Sequence, residues 1–129
     1  MTQQDKDLLL RDLSARLTYG VYVYANGMGC YKLSSIELYK GNVIIEINEE
    51  TLSYHLYEIK PYLRPMSSMT REEKIKIACM ADFNKCTKSI EIIECSIPII
   101  DFCYSRHLDI HGLIHKGLAI EAPQDLYNF

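Results

Sequence analysis

Residues 59–73, IKPYLRPMSSMTREE, constrain the fold more than any other stretch of this chain. Pro61 and Pro65 each lack a backbone donor and push the residue before them toward extended backbone, so a strand arriving here is expected to fray out at Lys60 and Arg64. Ser67 and Ser68 offer short polar side chains that bond nearby backbone and favour a turn. Thr70, followed three residues later by Glu73, has the pattern in which a threonine hydroxyl caps an amide while a glutamate reaches back, so a helix is expected to start at Thr70. The segment therefore joins two halves of different character.

The half before it is rich in strand signals. Residues 2–17 place Leu9, Leu10, Leu13 and Leu17 at spacings of three and four, with charged residues between, which predicts an amphipathic helix capped by Thr2 and stopped by Gly20. Residues 21–24 alternate valine with Tyr22 and Tyr24, which predicts a strand with the tyrosines on one face. Asn26-Gly27 and Lys40-Gly41-Asn42 read as tight turns, with a strand over 30–38 between them. The apolar phase slips between Leu33 and Ile36, as a bulge would produce. A third strand carries Val43, Ile45 and Ile47 on one face, and residues 52–60 read as a fourth.

The half after it reads as helical. Ile75, Ile77, Ala78, Cys79 and Met80 support a helix to about Asp82, with a loop over 84–89. Residues 90–95 are too short for periodicity to separate strand from buried helix. Ser96 before Ile97 and Pro98 makes a helix entrance, since an early proline costs no internal hydrogen bond. That helix is expected to run to about His107, with a further short helix from Asp109 through His115 and Lys116, ended by Gly117.

The fold class expected is α+β in a single domain over residues 1–129. An N-terminal helix precedes a four-stranded antiparallel meander, as an open sheet or a small SH3-like barrel, and two to three C-terminal helices pack on it. The covered open sheet is preferred, because the helices need an apolar partner and an open sheet face supplies one.

Composition narrows the function classes. The five cysteines are odd in number and never spaced CxxC, which argues against a disulfide framework and a zinc ribbon and for reduced thiols. No apolar run approaches the roughly 20 residues of a membrane-spanning helix. The N-terminus lacks the order of a signal peptide, so the expected location is cytoplasmic and no membrane partner is expected. Walker loops, dinucleotide glycine fingerprints and kinase motifs are missing from the sequence, and no cofactor is expected.

Charge is distributed unevenly. Residues 60–88 hold seven basic and three acidic side chains, against five and eight before them and two and six after, giving +4, −3 and −4. Lys60, Arg64, Arg71, Lys74, Lys76, Lys85 and Lys88 are thus candidates for a nucleic-acid surface.

The densest cluster of chemical side chains is CYSRHLDIHGLIH. In one continuous helix Cys103, His107, His111 and His115 would share a stripe, and histidines four apart can hold one metal ion. The cluster lacks an HExxH glutamate, and Asp109 breaks the helix. His107-x-Asp109 has the start of a two-histidine, one-carboxylate iron site without its third ligand. A Cys103–His107 nucleophile pair has no recognisable orienting partner. Ten tyrosines without tryptophan form the other signal, with Tyr22, Tyr24, Tyr31, Tyr39, Tyr54, Tyr57 and Tyr62 all in or beside the strand half. Outward tyrosines would make a protein-binding face or a stacking surface for unpaired bases.

The strings KPYLRPMSSMT and GLIHKGLAIEAP resemble a family of short uncharacterised proteins encoded by gut Bacteroidales and by their phages or integrated elements. The two segments that carry the resemblance cover about a third of the chain. It implies a phage or mobile-element setting and no particular reaction. The expectation drawn from all of this is a noncatalytic protein that binds another protein through Tyr22, Tyr24, Tyr57, Tyr62, Leu63 and Arg64, with a homo-oligomer possible at a sheet edge. The alternatives are a nucleic-acid accessory protein using Lys60, Arg64, Arg71, Lys74, Lys85 and Lys88, and a metal-dependent enzyme centred on His107, His111 and His115.

Overall fold

A computed structural model describes residues 1–25, 29–39, 42–47, 54–86 and 92–127. In chain order these form helix α1 (Gln3–Arg16), strands β1 (Tyr22–Ala25), β2 (Gly29–Tyr39), β3 (Asn42–Ile47) and β4 (Ile59–Leu63), helices α2 (Arg71–Cys86) and α3 (Ile92–Ser105), and the two-residue strand β5 (Ile120–Glu121). The expected α+β class holds. Among the described residues no helix is long and apolar enough to cross a membrane.

Helix α1 begins as its sequence predicts. The Thr2 hydroxyl accepts from the Asp5 amide at 3.1 Å, and the Asp5 carboxylate closes the capping box by accepting from the Thr2 amide. A short 3-10 turn (Leu17–Tyr19) follows, and Gly20 closes it at φ +73°. A Cβ at Gly20 would lie 2.9 Å from the Cε of Lys32, so glycine serves both the backbone and the lysine stem laid across it.

The sheet order is β3-β2-β1-β4-β5. The hairpins β1–β2 and β2–β3 are antiparallel, and the register shift between Leu33 and Ser35 realises the bulge expected from the apolar phase slip. The rest differs from the meander. Strand β4 pairs with β1 instead of β3, and β5 runs parallel to β4, so the sheet is mixed and open, not purely antiparallel and not a barrel. The tight turns expected at Asn26-Gly27 and at Lys40-Gly41 lie outside the described residues.

Strand β4 also starts later than expected, because residues 56–58 form a 3-10 turn, and it runs through Pro61 instead of ending there. The register explains the tolerance. The Leu33 amide bonds the Val21 carbonyl, so odd-numbered residues of β1 turn their backbone groups toward β2. Val23 opposite Pro61 is therefore a non-hydrogen-bonded pair, and the donor that proline lacks would point away from β1. On that far side β5 pairing begins only at Tyr62.

The core lies on one sheet face. Leu9 and Leu13 of α1 pack on Val21, Val23, Ala25, Leu33, Ile59 and Leu63, and Leu113, Leu118 and Ala119 close the cluster from the C-terminal segment. Burying aliphatic side chains of this size is worth roughly 1.5–3 kcal/mol each.

The Thr70 capping box forms as expected: the Thr70 hydroxyl accepts from the Glu73 amide at 3.2 Å and Glu73 Oε1 accepts from the Thr70 amide at 2.9 Å. Helix α2 runs on to Cys86, past the expected end. Helix α3 starts well before Ser96, leaving Pro98 inside it instead of in its first turn. The β-branched segment ambiguous between strand and helix is thus helical at least from Ile92.

Helix α3 ends in a Schellman motif. The Leu108 amide bonds the Cys103 carbonyl and the His107 amide bonds that of Tyr104, both at 3.0 Å. His107 occupies the left-handed position, φ +56°, where glycine is usual. The short helix expected from Asp109 is a series of turns instead. The Asp109 carboxylate accepts from the amides of Leu113 at 2.8 Å and Ile114 at 3.0 Å, so it does cap the segment, and Gly117 ends it at φ +75°.

Candidate functional site

The residues on the sheet face opposite the core form a small array. With Val21, Val23 and Ala25 in the core, Tyr22 and Tyr24 point the other way. Tyr24 lies across from Cys30 on β2 and Lys60 on β4; Tyr22 lies across from Lys32 on β2, and the same register carries it to Tyr62 on β4. Two rows result: Cys30, Tyr24, Lys60, and Lys32, Tyr22, Tyr62. Neighbouring strands stand about 4.8 Å apart and the two rows about 7 Å apart.

Cys30, Lys32, Ser34 and Lys60 are exposed and the three tyrosines half-buried, so the face is open at its β2 and β4 sides. Burial, then the neighbouring Cys30 and Tyr24, pushes the Tyr62 phenol up, as expected where these groups share one face. Partial desolvation raises the thiol of Cys30, although the residue is exposed, so this cysteine is held protonated. Neither Lys32 nor Lys60 has a carboxylate partner among the described residues. Along β2 the nearest carboxylate is Glu37, five residues and about 17 Å of strand from Lys32.

The remaining expected protein-binding residues lie elsewhere. Tyr57 is 58% exposed on the turn before β4, stacked on His55 at 5.2 Å and 7°. Leu63 is fully buried in the core. The Arg64 guanidinium grips the Glu73 carboxylate with two bonds of 2.7 and 2.8 Å and donates to the carbonyls of Ser68 and Arg106, each at 3.1 Å. That grip, stronger than the opposing effect of burial, holds Glu73 down to about 2. Arg64 is thus a structural clamp between β4, α2 and the end of α3.

The basic segment is likewise divided. Lys60 belongs to the open sheet face, while Arg71 and Lys74 are exposed in the first turn of α2. Lys85 falls in the last turn of α2, and Lys88 lies outside the described residues.

The histidines do not converge. His107 is 2% exposed, its ring stacked on Tyr127 at 4.1 Å and 22°, with Nε2 3.1 Å from the Tyr19 carbonyl. A carbonyl only accepts, so Nε2 carries the proton. Burial, helped by the Arg16 charge, lowers His107 to about 4 and keeps it neutral. His111 shares a 2.7 Å hydrogen bond with the Tyr104 hydroxyl, and His115 is exposed. Among the described residues no group of three or more His, Cys, Asp or Glu side chains is placed to hold a metal ion. Cys103 is buried and its thiol raised by desolvation, opposite to the shift that activates a nucleophile.

Two features escaped the sequence reading. Asp12 and Arg16 form a fully buried ion pair of 2.7 Å; Arg16 also donates to the Leu108 carbonyl at 2.6 Å and stands 5.0 Å from the centre of the Tyr104 ring. Their i, i+4 spacing was the available signal. The second is Tyr127, whose hydroxyl accepts from the Tyr22 amide at 2.9 Å and donates to the Tyr62 carbonyl at 2.8 Å. Nothing local in the sequence marks that long-range insertion.

Compared with protein-family models, curated proteins and solved structures, the chain matches none.

Proposed function

We propose that this chain is a noncatalytic binding module whose contact surface is the open sheet face around Tyr24. The observation that carries the reading is the two-row array itself: three tyrosines on a rigid sheet, interleaved with two exposed lysines that lack carboxylate partners among the described residues. Tyrosine gives contact area at little cost in side-chain entropy, and a sheet holds its rings in fixed positions before any partner arrives. Unneutralised lysines beside it are ready to receive negative charge. The setting is that of a phage or mobile-element accessory factor acting on host macromolecules, as the resemblance of the KPYLRPMSSMT and GLIHKGLAIEAP strings implies.

Photocrosslinking inside the host tests the location. With benzoylphenylalanine in place of Lys60 on the sheet face, a macromolecular adduct is expected. With the same residue in place of Lys74 on α2, none is. A chain that gives no adduct from position 60, or equal adducts from both, contradicts the reading.

A further inference from the structure

We infer that the occupant of this face is a single-stranded nucleic acid, an inference that rests on the binding-module reading and names its partner. Charge favours this occupant. Protein–protein interfaces are enriched in tyrosine but depleted in lysine. The array places Lys60 beside Tyr24 in one row and Lys32 beside Tyr22 in the other, at diagonal corners, and neither lysine pairs with a carboxylate among the described residues. A strand crossing the two rows would meet one cation per row, which suits a chain carrying one phosphate per nucleotide.

Shape favours it as well. Stacking on aromatic side chains is the sequence-tolerant way to hold unpaired bases, and it needs rings standing on a firm surface. Tyr22 and Tyr24 are two residues apart on β1, and Tyr62 extends the second row onto β4, so successive bases find a ring in each row. A duplex keeps its base faces stacked internally and offers nothing to these rings. Cys30, small and with a thiol raised by partial desolvation, leaves the β2 corner of the first row low and uncharged.

The experiment is fluorescence anisotropy of the full chain with end-labelled dT12, rU12 and a 12-base-pair duplex at 50 and 200 mM salt. One of the single strands should bind more tightly than the duplex; which of the two it is assigns DNA or RNA. Two phosphate contacts predict about a sevenfold loss of affinity over that salt range, from a slope of about 0.7 per contact on single strands. Lys60→Gln should lower that slope by about 0.7. Tyr24→Leu, which keeps an apolar side chain but removes the ring, should weaken binding by about 5- to 150-fold, the worth of one stacked base.

Lys74→Gln on α2 should change neither quantity, and circular dichroism of each variant checks that the fold is kept. Duplex binding equal to single-strand binding, or Lys60→Gln matching Lys74→Gln, overturns the inference. If neither oligonucleotide binds while the position-60 adduct is destroyed by protease and not by nuclease, the partner is a protein. The inference then fails while the binding-module reading stands.

Discussion

The Tyr127 hydroxyl and the Tyr22 amide are 2.9 Å apart, and that contact replaces a rung of the sheet. Even-numbered residues of β1 direct their backbone groups toward β4, so Tyr22 would bond Tyr62 directly if the ladder continued. Instead the phenol stands between them, accepting from one strand and donating to the other at 2.8 Å. Its ring is held by His107 on one side and tilts on Tyr22 at 5.8 Å. The C-terminal segment thereby closes the end of the tyrosine array and explains why a non-glycine residue is kept in the left-handed position at 107.

Tyr127→Phe is expected to leave the Tyr22 donor and the Tyr62 acceptor unmatched at a cost of about 1–3 kcal/mol. Urea unfolding measures the loss, and amide exchange at Tyr22 should accelerate more than at Val23, whose groups face β2. An unchanged midpoint would show that the rung carries no stability.

Acid stability should fall in two separable stages. The folded His107 titrates at about 4 instead of 6.5, so the unfolded chain takes up a proton first and stability drops as pH falls from 6.5 to 4. Glu73 titrates at about 2 instead of 4.5, so its contribution is complete above 4.5 and is lost as pH falls toward 2. His107→Asn, a residue that also tolerates positive φ, should flatten the upper stage and Glu73→Gln the lower. Urea midpoints followed from pH 7 to 2 decide it; a variant curve parallel to the parent in its own window would refute the assignment.

Breaking the buried pair at one end should cost far more than replacing it. Asp12→Asn strands the Arg16 guanidinium without its counter-charge and is expected to destabilise by about 3–5 kcal/mol. Asp12→Leu with Arg16→Met together should recover much of that loss. Thermal and urea unfolding of the three chains give the comparison, and a double variant as damaged as the single one would contradict it.

Thr70→Ala removes one half of the capping box and should lower stability by about 1 kcal/mol at neutral pH. The Arg64–Glu73 grip is made independently of the threonine, so the low-pH stage assigned to Glu73 should persist. A Thr70→Ala chain that loses that stage would show that the cap, and not the clamp, sets the Glu73 titration.

What the sequence revealed was local. The Thr2 cap, the Thr70 capping box, the Gly20 stop and the β2 bulge depend on residues within a few positions of one another, and each stands where periodicity and hydrogen-bonding chemistry put it. The errors are nonlocal. Pairing of β4 with β1 and the parallel β5 follow from packing on α1 and from the 107–109 segment that bonds Arg64, which no short window contains. Pro61 reads as a breaker until the register shows that its missing donor faces away from β1. The tyrosine face was half legible: alternation put Tyr22 and Tyr24 together, but Lys32 and Tyr62 joined them only through cross-strand register. The histidine stripe failed because it assumed one continuous helix, which ends at Ser105.

A contact surface around Tyr24 requires that sheet face to be open to solvent. The direct test is attenuation of tyrosine ring and leucine methyl signals in the NMR spectrum by a soluble paramagnetic agent. Rings of Tyr24 and Tyr62 should be attenuated toward the level of exposed Tyr57, while the methyls of buried Leu9 and Leu63 stay sharp. Tyrosine signals as protected as those of Leu63 would mean that the face is covered, and the binding surface proposed for it would not exist.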